Sequence, residues 1–452
     1  MTDRPDTPPP ANSQATDATK DYVKWFRQSS PYINAHRGKT FVLMLPGAAI
    51  LDANFSNIIH DIALLNSLGV RLVLVHGARP QIDARLAGSG IESSFTEQLR
   101  ITEAEHLNAV AQAIGEVRLN IEAALSTGLP NSPMHGAHIR VLGGNFVTAK
   151  PMGVINGTDL QHTGKVRRVD KTGLQAALGQ GAIAILSPLG YSPTGEIFNL
   201  SFAEVATEVA VALQADKLIA FSSEAGFVDG EGELLRQLSL PECEQQLQRL
   251  QHDQDRSLSL QACFDVCQRG VPRAQMVSFR EDGALLQELF TRDGSGTLVH
   301  RDNYEFVRQA TIDDVGGLLS LIEPLERQGA LVRRSRELLE SEISRFTIME
   351  KDGAIIACAA LYPYAGDRNV GELACVATHP DYRKDGRAAK VLATIEKKAR
   401  GLGISELFVL TTQTAHWFIE QGFRSAPLEW LPEEKKTFYN YQRNSKVFVK
   451  PL

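Results

Sequence analysis

The alternation of apolar runs with helical segments up to Leu298 is the feature that most restricts how this chain folds. FVLMLPG (41–47) and RLVLVHG (71–77) each precede a helical pattern, and the alternation continues to DKLIAFSS (216–223). Apolar strands that alternate with helices are typical of a mostly parallel sheet covered on both faces. We therefore predict an α/β domain of the αβα sandwich type. Because the 452 residues exceed the length of one typical domain, we expect a second.

A different pattern follows in the last third of the chain. The hairpin pattern FTIMEKDGAIIACAALYP (346–363) precedes a strand, GELACVATHP (371–380), and a helix, AAKVLATIEKKARGLG (388–403). Antiparallel strands with inserted helices indicate an α+β domain. The predicted organisation is a disordered tail at 1–20, a first domain at 21–298 that opens with a helix at 21–35, a linker at 299–306 and a second domain at 307–452.

Composition excludes several classes of protein. A formal net charge of −6 gives no concentrated basic surface for nucleic acid. The five cysteines form no Cys-x-x-Cys pair, so we predict reduced thiols, no disulfide framework and no metal site. No segment is long and apolar enough to span a bilayer, and the polar N-terminus lacks the apolar core of a signal peptide. These features predict a cytoplasmic protein.

The chemistry of the second domain is first indicated by Arg383, Gly386 and Ala388, in the spacing Arg-x-x-Gly-x-Ala. The segment follows a strand and opens a helix, where small residues let backbone N–H groups approach a pyrophosphate. The spacing alone is a weak motif that also fits an ordinary strand-to-helix turn. Together with WFIEQGF (417–423), it resembles the GNAT acetyltransferases over roughly 304–452.

The GNAT resemblance implies acetyl-CoA as co-substrate, with no permanently bound cofactor. The strand before the loop would be splayed, so that the backbone N–H groups of Cys375 and Val376 bind the thioester carbonyl and stabilise the oxyanion. The residues implied to hold the pyrophosphate are Arg383, Gly386, Arg387 and Ala388.

Acetyl transfer to an amine also needs a base, because the acceptor must lose a proton before it attacks. Glu372 lies on the same strand, shortly before Cys375 and Val376, and is our candidate for this base. Without the motif, a solvent-facing strand glutamate would be the simpler interpretation. The residues that could protonate the leaving thiolate are not separated by sequence: Thr411, which we take as the candidate, Thr412, Tyr439 and Tyr441.

Two arginine clusters indicate an acceptor with two carboxylates. ALVRRSRELL holds Arg333, Arg334 and Arg336, and YNYQRNSK holds Arg443 beside Ser445. Arginine binds carboxylates with two parallel hydrogen bonds. Each cluster alone is more often a solvated face. Within one acetyltransferase domain they fit an amino-acid dicarboxylate such as L-glutamate.

The first domain resembles the amino-acid kinase family, acetylglutamate kinase above all. The matching segments are PGAA (46–49), LVLVHGARPQID (72–83), LRIT (99–102), FNLSFAEVATEVAVALQADKLIAF (198–221) and LLQELFTRDGSGT (285–297). A kinase-like domain followed by a GNAT domain resembles the bacterial N-acetylglutamate synthase family, which implies formation of N-acetylglutamate at the start of arginine biosynthesis.

The kinase chemistry is not retained in this sequence. Met44 replaces the lysine of the kinases' first strand, and Ala203 replaces an aspartate. Their His-Gly-Gly-Gly loop reads His76-Gly77-Ala78-Arg79. Because phosphoryl transfer depends on positioned positive charge, these changes predict an inactive kinase domain.

The resemblance implies that such a domain binds arginine as a feedback inhibitor. The implied site consists of Tyr32, Lys217, Gln275, Glu288 and Gly294. Without the resemblance these are as readily surface residues and a helix-terminating glycine. Relatives of this kind form hexamers, and the segment 22–26 would supply a contact between subunits. Three alternatives remain open: a bifunctional synthase and kinase, a peptide N-acetyltransferase, and a non-catalytic arginine-responsive binding protein.

Overall fold

The computed structural model describes residues 12–96, 99–128, 133–229, 232–250, 254–291, 294–301, 305–351, 354–364, 369–383, 386–437, 439 and 444–452. The chain divides into two compact units, Met1–Asp302 and Asn303–Leu452.

The first unit alternates strands and helices along its length. Its strands are β1 Thr40–Leu45, β2 Arg71–His76, β3 Phe95–Thr96, β4 Leu99–Arg100, β5 Val141–Gly143, β6 Val147–Pro151, β7 Val154–Ile155, β8 Thr158–Asp159, β9 Gly164–Val169, β10 Ile183–Leu186, β11 Leu189–Tyr191, β12 Ile197–Asn199, β13 Lys217–Ser222, β14 Gln237–Ser239, β15 Arg273–Ser278 and β16 Thr297–His300. Its helices are α1 Asn12–His36, α2 Gly47–Leu51, α3 Phe55–Ser67, α4 Arg79–Gly88, α5 Leu107–Leu125, α6 Lys171–Gly179, α7 Phe202–Leu213, α8 Leu240–Arg249, α9 Gln254–Gln268 and α10 Ala284–Phe290.

Among the described residues, the main sheet of this unit has eight strands in the order β14-β16-β15-β13-β1-β2-β10-β5, and only β15 and β16 pair antiparallel. Strand β1 is central and buried on both faces. Alternate residues enter two different hydrophobic clusters, Phe41, Leu43 and Leu45 on one face and Val42 and Met44 on the other. Burial on both faces explains the uninterrupted apolar run, and the predicted αβα sandwich with a mostly parallel sheet is confirmed.

The N-terminal helix is longer than the sequence predicts. Helix α1 begins at Asn12 and continues through Pro31 to His36, so 12–20 belong to a helix rather than to a disordered tail, while 1–11 lie outside the described residues. The prolines of this tail stop at Pro10, which leaves 12–20 without a residue that breaks a helix. Near the end of α1, His36 bonds the carbonyl of Leu289 at 2.9 Å, which fixes the helix to α10.

The second unit is an α+β domain, as predicted. Its strands are β17 Glu305–Gln309, β18 Phe346–Lys351, β19 Ala354–Tyr364, β20 Val370–Thr378, β21 Glu406–Thr411, β22 Arg424–Ala426 and β23 Lys446–Pro451, in the sheet order β17-β18-β19-β20-β21-β23-β22. Its helices are α11 Val315–Arg327, α12 Arg336–Glu342, α13 Arg387–Gly401, α14 Ala415–Glu420 and α15 Glu433–Thr437.

The segment predicted as a linker is shorter than 299–306. Strand β16 extends to His300 because Val299 is buried and pairs with Ala274, and β17 begins at Glu305 opposite Lys351. All five cysteines are buried and free, which fits core packing. Among the described residues, no helix combines the length and apolarity needed to cross a membrane.

Candidate active site

An opening between two parallel strands of the second unit is the main feature of the candidate site. Strands β20 and β21 pair only from Val370 with Glu406 to Glu372 with Phe408. On its other side, β20 loses register with β19 between Ala374 and Ala377. A bulge of this kind bends the strand and re-aims its backbone groups.

Cys375 and Val376 form this bulge. Their backbone N–H groups are the predicted hydrogen-bond donors to the thioester carbonyl. Cys375 has φ +52°, a left-handed conformation that is uncommon for residues other than glycine and is found at functional sites. Its carbonyl accepts a hydrogen bond from the Cys358 thiol at 3.5 Å. The interaction with Cys375, together with burial, raises the pKa of the Cys358 thiol, so this thiol stays protonated.

The N-terminus of α13 follows the open strand. Gly386 caps the helix with φ +68°, a conformation that glycine adopts without strain. Lys390 N–H bonds the Gly386 carbonyl at 3.0 Å, so the N–H groups of the three residues before Lys390 have no acceptor inside the helix. Arg383 and Gly386 are exposed and Ala388 is half-buried. These groups can bind an anion such as a pyrophosphate.

Arg387 contributes to this loop through its backbone. Its guanidinium is buried and forms a two-pronged contact with Glu305, Nε to Oε2 at 2.9 Å and a terminal nitrogen to Oε1 at 2.6 Å. The same guanidinium lies 5.1 Å from the ring centre of Tyr382. The prediction that Arg387 binds the co-substrate therefore rests on its N–H group, because the side chain joins α13 to β17.

Glu372 is buried at the point where β20 and β21 separate. Its residue is 6% exposed, so the interpretation as a solvent-facing strand glutamate is wrong. Oε2 lies 2.7 Å from Lys435 Nζ and accepts a hydrogen bond from the Tyr364 hydroxyl at 3.0 Å. Burial and the nearby Glu372 raise the pKa of the Tyr364 hydroxyl, so it remains a donor. The carboxylate is thus fixed in position by two polar partners.

Arg334 is the member of the first arginine cluster that faces this region. It interacts with Cys375, Tyr362 and Glu372, and these neighbours raise its pKa against the opposing effect of burial. Tyr362 donates to Glu342 at 2.6 Å; burial, followed by this bond, raises the pKa of Tyr362 to about 12.

Among the described residues, the others predicted to bind the acetyl acceptor form no hydrogen bond or ion pair with Glu372. Arg333 is exposed, and Arg336 makes a surface pair with Glu340 at 2.8 Å, as a solvated face would. Ser445 is half-buried beside β23, and its carbonyl accepts from the Tyr439 hydroxyl at 2.8 Å. Arg443, like the donor candidate Tyr441, lies outside the described residues.

Thr411 stands at the end of β21, past the last pair between β20 and β21. Its hydroxyl oxygen accepts from the N–H groups of Gln413 and Thr414 and lies 3.1 Å from the Thr414 hydroxyl. These contacts form the turn before α14. Thr411 therefore has a structural role here, and its part as proton donor stays a prediction.

Sequence reasoning missed three residues around Glu372, namely Tyr362, Tyr364 and Lys435. The two tyrosines alternate on β19, and Tyr362 pairs directly with Glu372. The hairpin pattern followed by the catalytic strand could have revealed this adjacency. Lys435, on the short α15 far along the chain, has no comparable signal.

In the first unit, the residues that differ from the kinases are packed against their neighbours. Met44 is fully buried in the core cluster of its sheet face, and Ala203 is 5% exposed. A Cβ at Gly77 would lie 3.0 Å from the Gly47 nitrogen and 3.3 Å from the Phe202 ring. The two loops that end β1 and β2 thus approach each other closely.

His76 at the end of β2 is neutral. Burial lowers its pKa to about 4. Its Nδ1 lies 3.2 Å from the Gly77 carbonyl, which can only accept, so Nδ1 carries the proton; Nε2 then accepts from the Ser187 hydroxyl at 2.9 Å. A neutral ring provides no positive charge for phosphoryl transfer.

The residues predicted to bind arginine include a connected group. Gln275 donates to Glu288 Oε1 at 3.0 Å, and the N–H groups of Ser295 and Gly296 donate to Glu288 Oε2 at 2.9 and 2.8 Å. Gly294 has φ +63°, and a side chain there would collide with the Glu288 carboxylate. Among the described residues, the buried Gln275 Oε1 has no hydrogen-bond donor.

Lys217 and Tyr32 lie on neighbouring elements. Lys217 is buried at the start of β13, two positions before Ile219, which pairs with Gln275 on β15. Its ammonium is 5.5 Å from the Phe41 ring. Tyr32 of α1 is half-buried against the same hydrophobic cluster as Phe41, and α1 is joined to α10 through Ser29 as well as His36.

A splayed strand, a helix N-terminus open to an anion and a buried carboxylate define the second unit as an acetyltransferase of the GNAT class. It follows an amino-acid-kinase-like unit in the sequence. The family models agree: residues 39–278 match the amino acid kinase family, and 313–423 match the acetyltransferase (GNAT) family.

Relatives over almost the whole chain define the particular family. An amino-acid acetyltransferase of Azotobacter vinelandii is 58% identical over 96% of this chain and all of its own, and one of Pseudomonas putida is 56% identical with the same coverage. The crystal structure of N-acetylglutamate synthase from Neisseria gonorrhoeae with coenzyme A and L-arginine is 38% identical, covers 95% of this chain and 99% of its own, and has a TM-score of 0.87. A second structure of that enzyme, with coenzyme A and N-acetyl-glutamate, matches with a TM-score of 0.61. The chain belongs to the amino-acid acetyltransferase family and is an acetyltransferase.

Proposed function

We propose that this enzyme transfers the acetyl group of acetyl-CoA to the α-amino group of L-glutamate, forming N-acetyl-L-glutamate and CoA. The observation that carries the proposal is the buried Glu372 carboxylate at the point where β20 and β21 separate, shortly before the bulge at Cys375 and Val376. A proton acceptor and re-aimed backbone donors on one strand are the two elements that amide formation from a thioester needs.

The reaction proceeds in a ternary complex. Glu372 takes a proton from the acceptor's ammonium group, and the free amine attacks the thioester carbonyl. The N–H groups of Cys375 and Val376 stabilise the tetrahedral oxyanion; the C–N bond forms, the C–S bond breaks and CoA leaves. The net change is one ammonium and one thioester converted to one amide, one thiol and one proton.

The two substrates occupy opposite ends of the opening. The pyrophosphate of acetyl-CoA lies on Arg383 and on the backbone N–H groups from Gly386 to Ala388, in line with the free helix N-terminus. L-glutamate lies on the arginine-rich side, with Arg333, Arg334, Arg443 and Ser445 among its contacts and Thr411 as the donor to the leaving thiolate.

The first unit acts as a regulatory domain that binds L-arginine and has no kinase activity. A guanidinium group needs several acceptors, and the Glu288 carboxylate beside the unpaired Gln275 Oε1 provides them. Lys217 can pair with the arginine carboxylate, while Gly294 and Tyr32 border the site. The Neisseria gonorrhoeae enzyme was crystallised with L-arginine, which supports this proposal.

Removing the unpaired acceptor tests the arginine site. Gln275→Leu is expected to raise the arginine concentration for half-inhibition by about 10–150-fold, because one hydrogen bond to a charged group contributes roughly 1.5–3 kcal/mol. The measurement is the rate of thiol release against arginine concentration. Gln287→Leu on the exposed side of α10 is the matched control, and equal inhibition of both variants would remove Gln275 from the site.

Release of free CoA thiol from acetyl-CoA tests the function itself. Thiol is expected to appear only when L-glutamate is added, and arginine is expected to suppress it. Thiol release with a peptide carrying a free N-terminus, but not with glutamate, would identify a peptide N-acetyltransferase. No thiol release with either acceptor would favour the non-catalytic arginine-responsive binding protein. Formation of ADP from ATP and N-acetylglutamate would restore the bifunctional alternative, which Met44 opposes.

The units Met1–Asp302 and Asn303–Leu452 correspond to the regulatory and catalytic parts of this proposal. The subunits form a hexamer in the cytoplasm, at the first step of arginine biosynthesis. The exposed aromatic side chains of Tyr22, Trp25 and Phe26 on α1 are suited to a contact between subunits. Sedimentation of the full chain measures the subunit number.

A further inference from the structure

Glu372 is paired with a cation of the chain itself. Lys435 reaches it from α15, with Nζ 2.7 Å from Oε2, and the two side chains are 24% and 9% exposed. The next residue, Lys436, makes an ordinary surface pair with Glu433 three positions earlier, where Glu433 is 89% exposed. Lys435 thus differs from its neighbour in pointing toward the buried carboxylate.

The ion pair lies where the acceptor's ammonium group must arrive. If Glu372 takes the proton from that ammonium, the substrate nitrogen has to come within hydrogen-bond distance of the same carboxylate. Two ammonium groups at one buried carboxylate repel each other, and Tyr364 already occupies part of its hydrogen-bonding capacity. Because Lys435 and Tyr364 both contact Oε2, the arriving ammonium can reach the other carboxylate oxygen, and its repulsion weakens the contact between Lys435 and Glu372.

A displaced Lys435 needs another anion, because an unpaired ammonium in a half-buried position is unfavourable. A simple amine brings no such anion. An α-amino acid brings a carboxylate on the carbon next to its ammonium group, so both members of the ion pair gain a new partner. Arg334 lies near Tyr362, Cys375 and Glu372, and in the proposed complex it binds the second carboxylate of the acceptor.

We propose that Lys435 determines the specificity for α-amino acids: the Lys435–Glu372 pair exchanges with the zwitterionic head of the acceptor, whose ammonium binds Glu372 and whose α-carboxylate binds Lys435. The inference rests on the proposed role of Glu372 and adds a recognition step to it.

The test compares three acceptors with four forms of the full-length enzyme. The acceptors are L-glutamate, its α-amide and L-glutamine, which is the γ-amide. The enzymes are the parent, Lys435→Met, Lys435→Arg and Lys436→Met. The parent is expected to prefer glutamate over the α-amide by about 10–100-fold in kcat/KM, the range of one hydrogen-bonded charge pair.

In Lys435→Met, kcat/KM for glutamate is expected to fall about 10–100-fold while that for the α-amide stays unchanged, so the preference disappears. The preference for glutamate over glutamine is expected to remain, since it depends on the other carboxylate. Lys435→Arg is expected to retain the α-carboxylate preference, and Lys436→Met to match the parent.

Two results would overturn the inference: a parent enzyme that accepts the α-amide as well as glutamate, and a Lys435→Met enzyme that loses the same factor with both. The first needs no variant and therefore holds even if Lys435→Met does not fold. A parent that releases no thiol with glutamate would instead reject the proposed function, so the two failures are distinguishable.

Discussion

Replacing Glu372 by Gln is expected to lower kcat for glutamate-dependent thiol release by about 10²–10⁴-fold, the usual contribution of a positioned general base. The amide has nearly the same shape and can still accept the Tyr364 hydrogen bond, but it cannot take a proton from the acceptor.

Two measurements separate loss of the base from loss of the site. Acetyl-CoA affinity should remain close to that of the parent, because the proposed contacts of the co-substrate are the Arg383 loop and the helix N-terminus. Glu420→Gln, on the exposed side of α14, controls for the loss of a carboxylate and should leave kcat unchanged. If Glu372→Gln kept the parent's kcat, another residue would have to be the base.

Most of the architecture could be predicted from sequence because burial sets the apolar pattern directly. Strand β1 is buried on both faces and so is apolar at every position from Phe41 to Leu45, which distinguishes a parallel sheet from a half-exposed one. The boundaries were less predictable. Val299 reads as part of a linker in sequence, yet pairing with Ala274 extends β16 through it, and such pairing depends on residues distant in the chain.

The candidate site was predictable only where its residues share one segment. The strand and loop from Glu372 to Ala388 are continuous, so a motif can indicate them together. Lys435 reaches Glu372 from another element, and only the folded chain shows the 2.7 Å contact. Arg387 illustrates the opposite limitation: its place in the loop indicated a ligand, but Glu305, on an earlier strand, binds its side chain.

Removing one partner of the Arg387–Glu305 pair is expected to be the most destabilising single change of a polar side chain in the second unit. Both side chains are about one-tenth exposed, at 9% and 12%. Replacing Glu305 by Ala would leave a buried guanidinium without its carboxylate, which typically costs about 3–5 kcal/mol. For a domain of this size, that corresponds to a fall of roughly 6–20 °C in the temperature at which activity is half lost.

The double variant Glu305→Leu with Arg387→Met separates this structural role from a role in co-substrate binding. Replacing both charges by apolar groups is expected to restore most of the lost stability, since the desolvation of the ions is removed together with their attraction. If Arg387 acts through its N–H group, the double variant should bind acetyl-CoA as tightly as the parent. Arg383→Met should instead weaken binding by about 10–100-fold, because in the proposed complex its exposed guanidinium contacts the phosphate. A similar loss in the double variant would show that the Arg387 side chain reaches the co-substrate, which would mean that its contact with Glu305 opens when acetyl-CoA binds.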